Sequence, residues 1–159
     1  MSLAPGTKAP DFKLPNTEKK EVSLSDFAGK NLIIQFFPAA FTGVCTAQMC
    51  TSRDDLSSFN DLNASVVGIS VDTPFSLGEF KAKNNINFDL LSDFNKVVIK
   101  SYDMYLENFA LGLKGVAKRG VVLIDGEGIV RYSEETANPG VQVNFAALKE
   151  ALGKLRVGM

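Results

Sequence analysis

The stretch NLIIQFFPAAFTGVCTAQMC, residues 31–50, runs from apolar, partly β-branched residues through a proline into a more polar segment. Residues 31–37 read as a buried strand, because a short continuous apolar run suits a strand covered on both faces. Pro38 ends that strand, and Thr42 or a neighbour is placed to cap a helix beginning within the next few residues. The same stretch holds both cysteines of the chain, Cys45 and Cys50. Cys45 falls in the first turn of the expected helix, at the carboxyl end of a central strand, where open α/β sheets form their sites.

Working outward, SVVGISV (65–71) and RGVVLID (119–125) repeat the strand signal. The latter is followed by GEG and IVRYS (129–133), which together predict a hairpin. Helical patterns occupy roughly 43–62, 75–84, 95–102 and 143–155. In the last of these, Phe145, Leu148, Leu152 and Leu155 recur at helical spacing and form one apolar face. Near the start, FKLPNTEKKEVSLSDF (12–27) reads as two short strands about a polar turn. Residues 103–118, DMYLENFALGLKGVAK, fit no regular pattern and are expected to form a loop that shapes a site. Strands alternating with helices predict an α/β fold: a central mixed sheet flanked by helices, with an N-terminal β-hairpin extension. With no internal repeat or linker, residues 1–159 are expected to form a single domain.

Composition narrows the function. The formal net charge is −1 with no basic stripe, which argues against nucleic acid as a partner. The opening MSLAPGTKAPDF lacks the apolar core of a signal peptide, and no run reaches the length of a membrane span. A cytoplasmic setting is expected, where thiols stay reduced unless they cycle catalytically. The chain contains no histidine. Two cysteines without histidine make a poor metal clip, and Cys–His or Ser–His nucleophiles are impossible. No metal and no cofactor is expected. If Cys45 does chemistry, something other than imidazole must hold its thiolate, and the positive end of a helix favours an anion there. Position alone leaves Cys45 equally readable as a small buried hydrophobe.

The segment PAAFTGVC matches the Pro-x-x-x-Thr-x-x-Cys signature of peroxiredoxins at Pro38, Thr42 and Cys45. The resemblance continues through APDFKL, LSDFAGKNLIIQFFP, GISVD, FDLLSDFN and KRGVVLIDGEGIVRY, and so covers nearly the whole chain. It implies a thioredoxin-like fold and a thiol peroxidase in which Cys45 attacks a peroxide and becomes a sulfenic acid. Arg119 falls where the family keeps an active-site arginine, which would hold the thiolate and stabilise the leaving oxygen. Its strand takes its core contacts from Val121, Val122 and Leu123, so Arg119 is expected to matter for reactivity more than for stability. Thr42 Oγ can accept a hydrogen bond from the peroxide or donate one to the sulfur. Pro38 would shield the sulfur from water. Gln48 stands where the family has Glu or Gln, but a surface helix residue also explains it, just as a core aromatic explains Phe41.

Cys50 completes a C-x4-C spacing that resembles the bacterioferritin-comigratory-protein class, in which such a cysteine resolves the sulfenic acid as an intramolecular disulfide. FFPAAFTGVC, LLSDF and KRGVVLID resemble equally the single-cysteine subfamily, which uses an external thiol. Five helical residues separate two Cα atoms by about 8–9 Å, beyond the roughly 7 Å a disulfide allows. Resolution by Cys50 would therefore require the helix start to unwind. The resemblance further implies a peroxide substrate and a thioredoxin- or glutaredoxin-like reductant, and leaves monomer or homodimer open. A redox-inert thioredoxin-fold binding module is the competing class.

Overall fold

The computed structural model describes residues 3–157. β1 (Lys13–Pro15) and β2 (Glu21–Ser23) pair antiparallel as the expected N-terminal hairpin. β3 (Asn31–Phe36) is buried along its whole length and leads into α1 (Gly43–Asp54) and α2 (Leu56–Asp61). β4 (Ala64–Ser70), α3 (Pro74–Lys83), β5 (Asp89–Ser92) and α4 (Val97–Ser101) follow. β6 (Tyr105–Asn108) and β7 (Lys114–Ala117) form a second hairpin, and β8 (Gly120–Ile124), β9 (Val130–Glu135) and α5 (Phe145–Val157) complete the order.

The central sheet has five strands in the order β5-β4-β3-β8-β9. β3 runs parallel to β4 and antiparallel to β8, so the sheet is mixed, as expected. Alternation along β3 divides the core between two layers. Leu32, Ile34 and Phe36 face one layer with Val98, Ile99 and Tyr102 from the α4 region. Ile33 and Phe37 face the other, with Cys45 and Met49 of α1, Phe59 of α2, Leu77 and Phe80 of α3, and Leu148 and Leu152 of α5.

Four local readings need correction. The helix expected over 43–62 breaks at Asp55, whose φ −92°, ψ 0° lies in the bridge region, into α1 and the short α2 that carries the buried Phe59. α4 is shorter than 95–102 because Lys96 takes left-handed angles (φ 63°) and the buried Asp93 carboxylate accepts from Val97 N–H (3.1 Å) and Ile99 N–H (2.7 Å). Residues 103–118 are no loop: they form the β6–β7 hairpin, closed by a turn in which Leu111 (φ 62°) and Gly112 (φ 76°) are left-handed. Its strands have four residues each and are partly exposed, too short for a clear periodicity. β5, with four residues, is equally too short to carry a strand signal of its own.

Gly120 sets how closely β9 and Met104 pack beside the start of β8. A Cβ there would lie 2.5 Å from Glu134 O and 2.9 Å from Met104 Sδ. Because one neighbour is backbone, relief requires the strands to part, and Gly120→Ala is expected to destabilise by about 1–3 kcal/mol. Denaturant unfolding checks this: a lower midpoint at unchanged slope is the expected outcome.

Candidate active site

The loop after β3 is held from two directions. Phe37 N–H donates to Ile69 O (3.1 Å), and Asp72, just beyond β4, accepts from Ala40 N–H (2.9 Å) and from Ser70 Oγ (2.7 Å). Pro38 is buried between these anchors. Phe41 is not the core aromatic that the sequence allowed: it is 51% exposed, takes φ 66°, and meets Phe80 edge-on with ring centroids 5.3 Å apart. A bulky residue in the left-handed region costs free energy, so the anchored loop must hold it there.

Thr42 occupies the N-cap position with extended angles (φ −94°, ψ 153°), as expected, but its side chain caps nothing. Its Oγ1 donates to Ala39 O (2.9 Å) instead, which commits its one hydrogen and leaves its lone pairs as acceptors. The first helical bond runs from Thr46 N–H to Thr42 O, so the N–H groups of Gly43, Val44 and Cys45 donate to no protein atom among the described residues. Cys45, in that uncapped turn, is 0% exposed.

Arg119 comes to the sulfur from the neighbouring antiparallel strand, one residue before the Phe36–Gly120 pair. It is no surface charge, being only 3% exposed. Nη2 donates to Cys45 Sγ at 3.0 Å, Nη1 to Gln48 Oε1 at 2.9 Å, and Nε to Pro139 O at 2.8 Å. Among the described residues no carboxylate forms an ion pair with it, and the adjacent Lys118 pairs with Glu135 (2.6 Å). The buried guanidinium is thus held by a carbonyl, an amide oxygen and a sulfur, the acceptors that its burial requires. Such burial also gives Arg119 packing contacts with its surroundings beside its bond to the sulfur.

Gln48 is likewise no surface residue: at 0% exposure it lies one turn after Cys45 on the same helix face. Its Nε2 donates to Gln35 Oε1 (2.7 Å) and to Phe36 O (3.3 Å). Sequence reasoning missed Gln35. The available signal was a long polar side chain inside an otherwise apolar strand covered on both faces, where a buried amide needs a partner.

Cys50 sits on another side of α1, half-buried and outside both core clusters. Both thiols are free and belong to one helix, so helical geometry keeps their Cα atoms about 8–9 Å apart. Arg53 stands one turn further on. Its guanidinium pKa is raised, chiefly by the hydrogen bond to Asp54, against burial, with Cys50 adding attraction. Arg53 Nη1 also donates to Asn84 O (2.6 Å) and its carbonyl accepts from Asn87 Nδ2 (3.3 Å), which pins the carboxyl end of α1.

Residues 5–133 match the AhpC/TSA family. The chain belongs to that family. Peroxiredoxin Bcp of Bacillus subtilis is 36% identical over 130 residues, 80% of this chain and 82% of the relative. Among solved structures, the chain is similar to peroxidoxin BcpB of Mycobacterium tuberculosis, with TM-score 0.82 and 28% identity, covering 99% of this chain and 97% of that one. The reduced 2-Cys peroxiredoxin of Plasmodium vivax gives TM-score 0.83 and 28% identity, covering 97% and 82% respectively. The fold is thioredoxin-like, and as a peroxiredoxin the chain is a thiol peroxidase.

In this peroxiredoxin, hydrogen bonds bring Cys45, Arg119 and Gln48 together directly, and Thr42 and Pro38 belong to the loop and turn that carry the sulfur. Cys50 shares the helix without touching the cluster, while Phe41 marks the solvent side of the loop. No helix among the described residues is long and apolar enough to cross a membrane. The β6–β7 hairpin, for its part, borders a cavity of about 430 Å³ beside Arg119, lined also by Lys118 and Pro139.

Proposed function

We propose that this peroxiredoxin reduces hydrogen peroxide and organic hydroperoxides at Cys45. One observation carries the assignment: the buried Arg119 guanidinium, without a carboxylate partner among the described residues, donates to the buried Cys45 sulfur at 3.0 Å. The thiolate attacks one peroxide oxygen, the O–O bond breaks, and the other oxygen leaves as hydroxide or alkoxide and takes a proton from water. Cys45 becomes a sulfenic acid. Arg119 and the free N–H groups of the first turn of α1 stabilise the growing negative charge. Thr42 Oγ1, its hydrogen committed to Ala39 O, accepts from the peroxide hydroxyl. Pro38, buried and without an N–H, keeps water from the sulfur.

Cys50 then displaces water from the sulfenic acid to form a Cys45–Cys50 disulfide, which a thioredoxin- or glutaredoxin-like dithiol reduces. Asymmetry along α1 supports the required unwinding. Its amino end lacks a side-chain cap and follows a left-handed Phe41, whereas its other end is tied to Asn84 and Asn87. Opening the first turn therefore costs few hydrogen bonds. The enzyme acts as a single domain over residues 1–159, in the cytoplasm. Exposed Phe75, Phe94 and Val97, which line one groove, favour a homodimer, and light scattering after gel filtration decides its mass.

Stopped-flow peroxide consumption by the reduced protein, with thiols counted before and after, tests the reaction. After one equivalent of peroxide, mass spectrometry is expected to show a loss of two hydrogens and a cross-linked peptide joining Cys45 to Cys50. Accumulation of sulfenic or sulfinic Cys45, with Cys50 still alkylatable, would place the chain with the single-cysteine enzymes instead.

A further inference from the structure

Gln35 is a polar side chain in the site to which no task has been given. It lies mid-way along β3 at 0% exposure, on the face that Ile33 and Phe37 turn toward α1. Its Oε1 accepts the 2.7 Å hydrogen bond from Gln48 Nε2, while its own Nε2 has no partner among the described residues. We propose that Gln35 is a positioning residue for peroxide reduction. It fixes the orientation of the Gln48 amide, and through that amide holds Arg119 against Cys45. The inference rests on the reading of Cys45 as the reactive thiol.

The donor and acceptor inventory permits one arrangement. A guanidinium has donors only, so Gln48 must turn Oε1 toward Arg119 Nη1, 2.9 Å away. That sends Gln48 Nε2 toward the sheet, where its two hydrogens meet Gln35 Oε1 at 2.7 Å and Phe36 O at 3.3 Å. Gln35 must therefore present its oxygen, and its amide nitrogen is left facing no acceptor. A flipped Gln48 would set donor against donor at Arg119 and oxygen against oxygen at the sheet. An apolar residue at position 35 would satisfy the strand and remove the orphan amide, but it would leave one Gln48 N–H without its acceptor. The acceptor at position 35 therefore serves the Gln48 amide and not the strand itself. The strand supplies a rigid base, since Gln35 is paired with Gly68 on one side and Val121 on the other.

The test compares the full-length parent with Gln35→Met, which keeps length and shape but removes the amide. Three measurements are made: thermal stability, thiolate fraction by ultraviolet absorbance, and the rate of oxidation by hydrogen peroxide. Stability is expected to change little, since the orphan Gln35 amide is removed while one buried Gln48 N–H loses its acceptor. The thiolate fraction is expected to fall and oxidation to slow about two- to tenfold. A merely structural residue would give the reverse, a less stable protein with parent kinetics, and that result overturns the proposal. Gln35→Leu repeats the test with a different shape, and failure of both variants to fold would equally assign Gln35 to the core. In a Gln48→Ala background, Gln35→Met should add no further slowing, because the two residues act as one path. Additive losses overturn it. Cys45→Ser is run alongside. If that variant reacts at the parent rate, the reading of Cys45 fails; if it is inert and Gln35→Met matches the parent, only the role of Gln35 fails.

Discussion

A Cys45→Ser protein is expected to consume no peroxide and to keep its fold. The hydroxyl fits where the sulfur sits in the core cluster and can still accept from Arg119 Nη2, so packing changes little. What disappears is the nucleophile, because a serine hydroxyl stays protonated where a thiol can ionise, and the chain has no histidine to act as base. Cys50→Ser should by contrast complete a first turnover and then stall at the sulfenic acid. The two variants differ in which half-reaction is lost, and single-turnover kinetics separate the halves. A Cys45→Ser protein that consumes peroxide at the parent rate would sink the assignment.

Arg119→Ala should lose both reactivity and stability. Removing a charge-assisted donor costs about 1.5–3 kcal/mol, roughly ten- to a hundredfold in rate if the bond is felt at the transition state. The same change strips Gln48 Oε1 and Pro139 O of their donor and opens a void in a buried site, so the melting temperature should fall as well. Arg119→Lys helps to separate the effects. It restores a charge but not the fork, and one ammonium cannot reach a sulfur, an amide and a carbonyl at once. The lysine variant is therefore expected to recover part of the thiolate fraction and little of the stability. If thiolate titration and peroxide kinetics are unchanged in Arg119→Ala, Arg119 serves packing alone.

The components that sequence made legible are those whose residue type is tied to a local conformation or reaction. Pro38 ends β3, Thr42 stands at the N-cap of α1, and Cys45 lies in its first turn, all within one short segment whose spacing carries the inference. Arg119 could be placed by the resemblance around it, but its burial could not, since a charge opening a strand reads as exposed until its partners are known. Gln48 shows the same limit: a polar residue near a helix start looks like surface, and only the side on which α1 meets the sheet decides otherwise. The β6–β7 hairpin escaped because its four-residue strands are too short for alternation and its turn relies on left-handed Leu111 as well as on glycine. The break at Asp55 escaped because aspartate does not forbid helix, and nothing in the local sequence marks its bridge-region angles.

Cys45 and Arg119 are 74 residues apart in the chain and meet only because β3 and β8 are antiparallel neighbours. During synthesis the thiol therefore leaves the ribosome well before its guanidinium. Until β8 docks beside β3, Cys45 lacks the guanidinium that donates to its sulfur in the folded chain. On the proposed role of Cys45, the growing chain thus carries the reactive thiol before the group that supports its reaction. On that role, full reactivity toward peroxide is expected only once the sheet has closed, so that the oxidation rate of Cys45 would report completed folding.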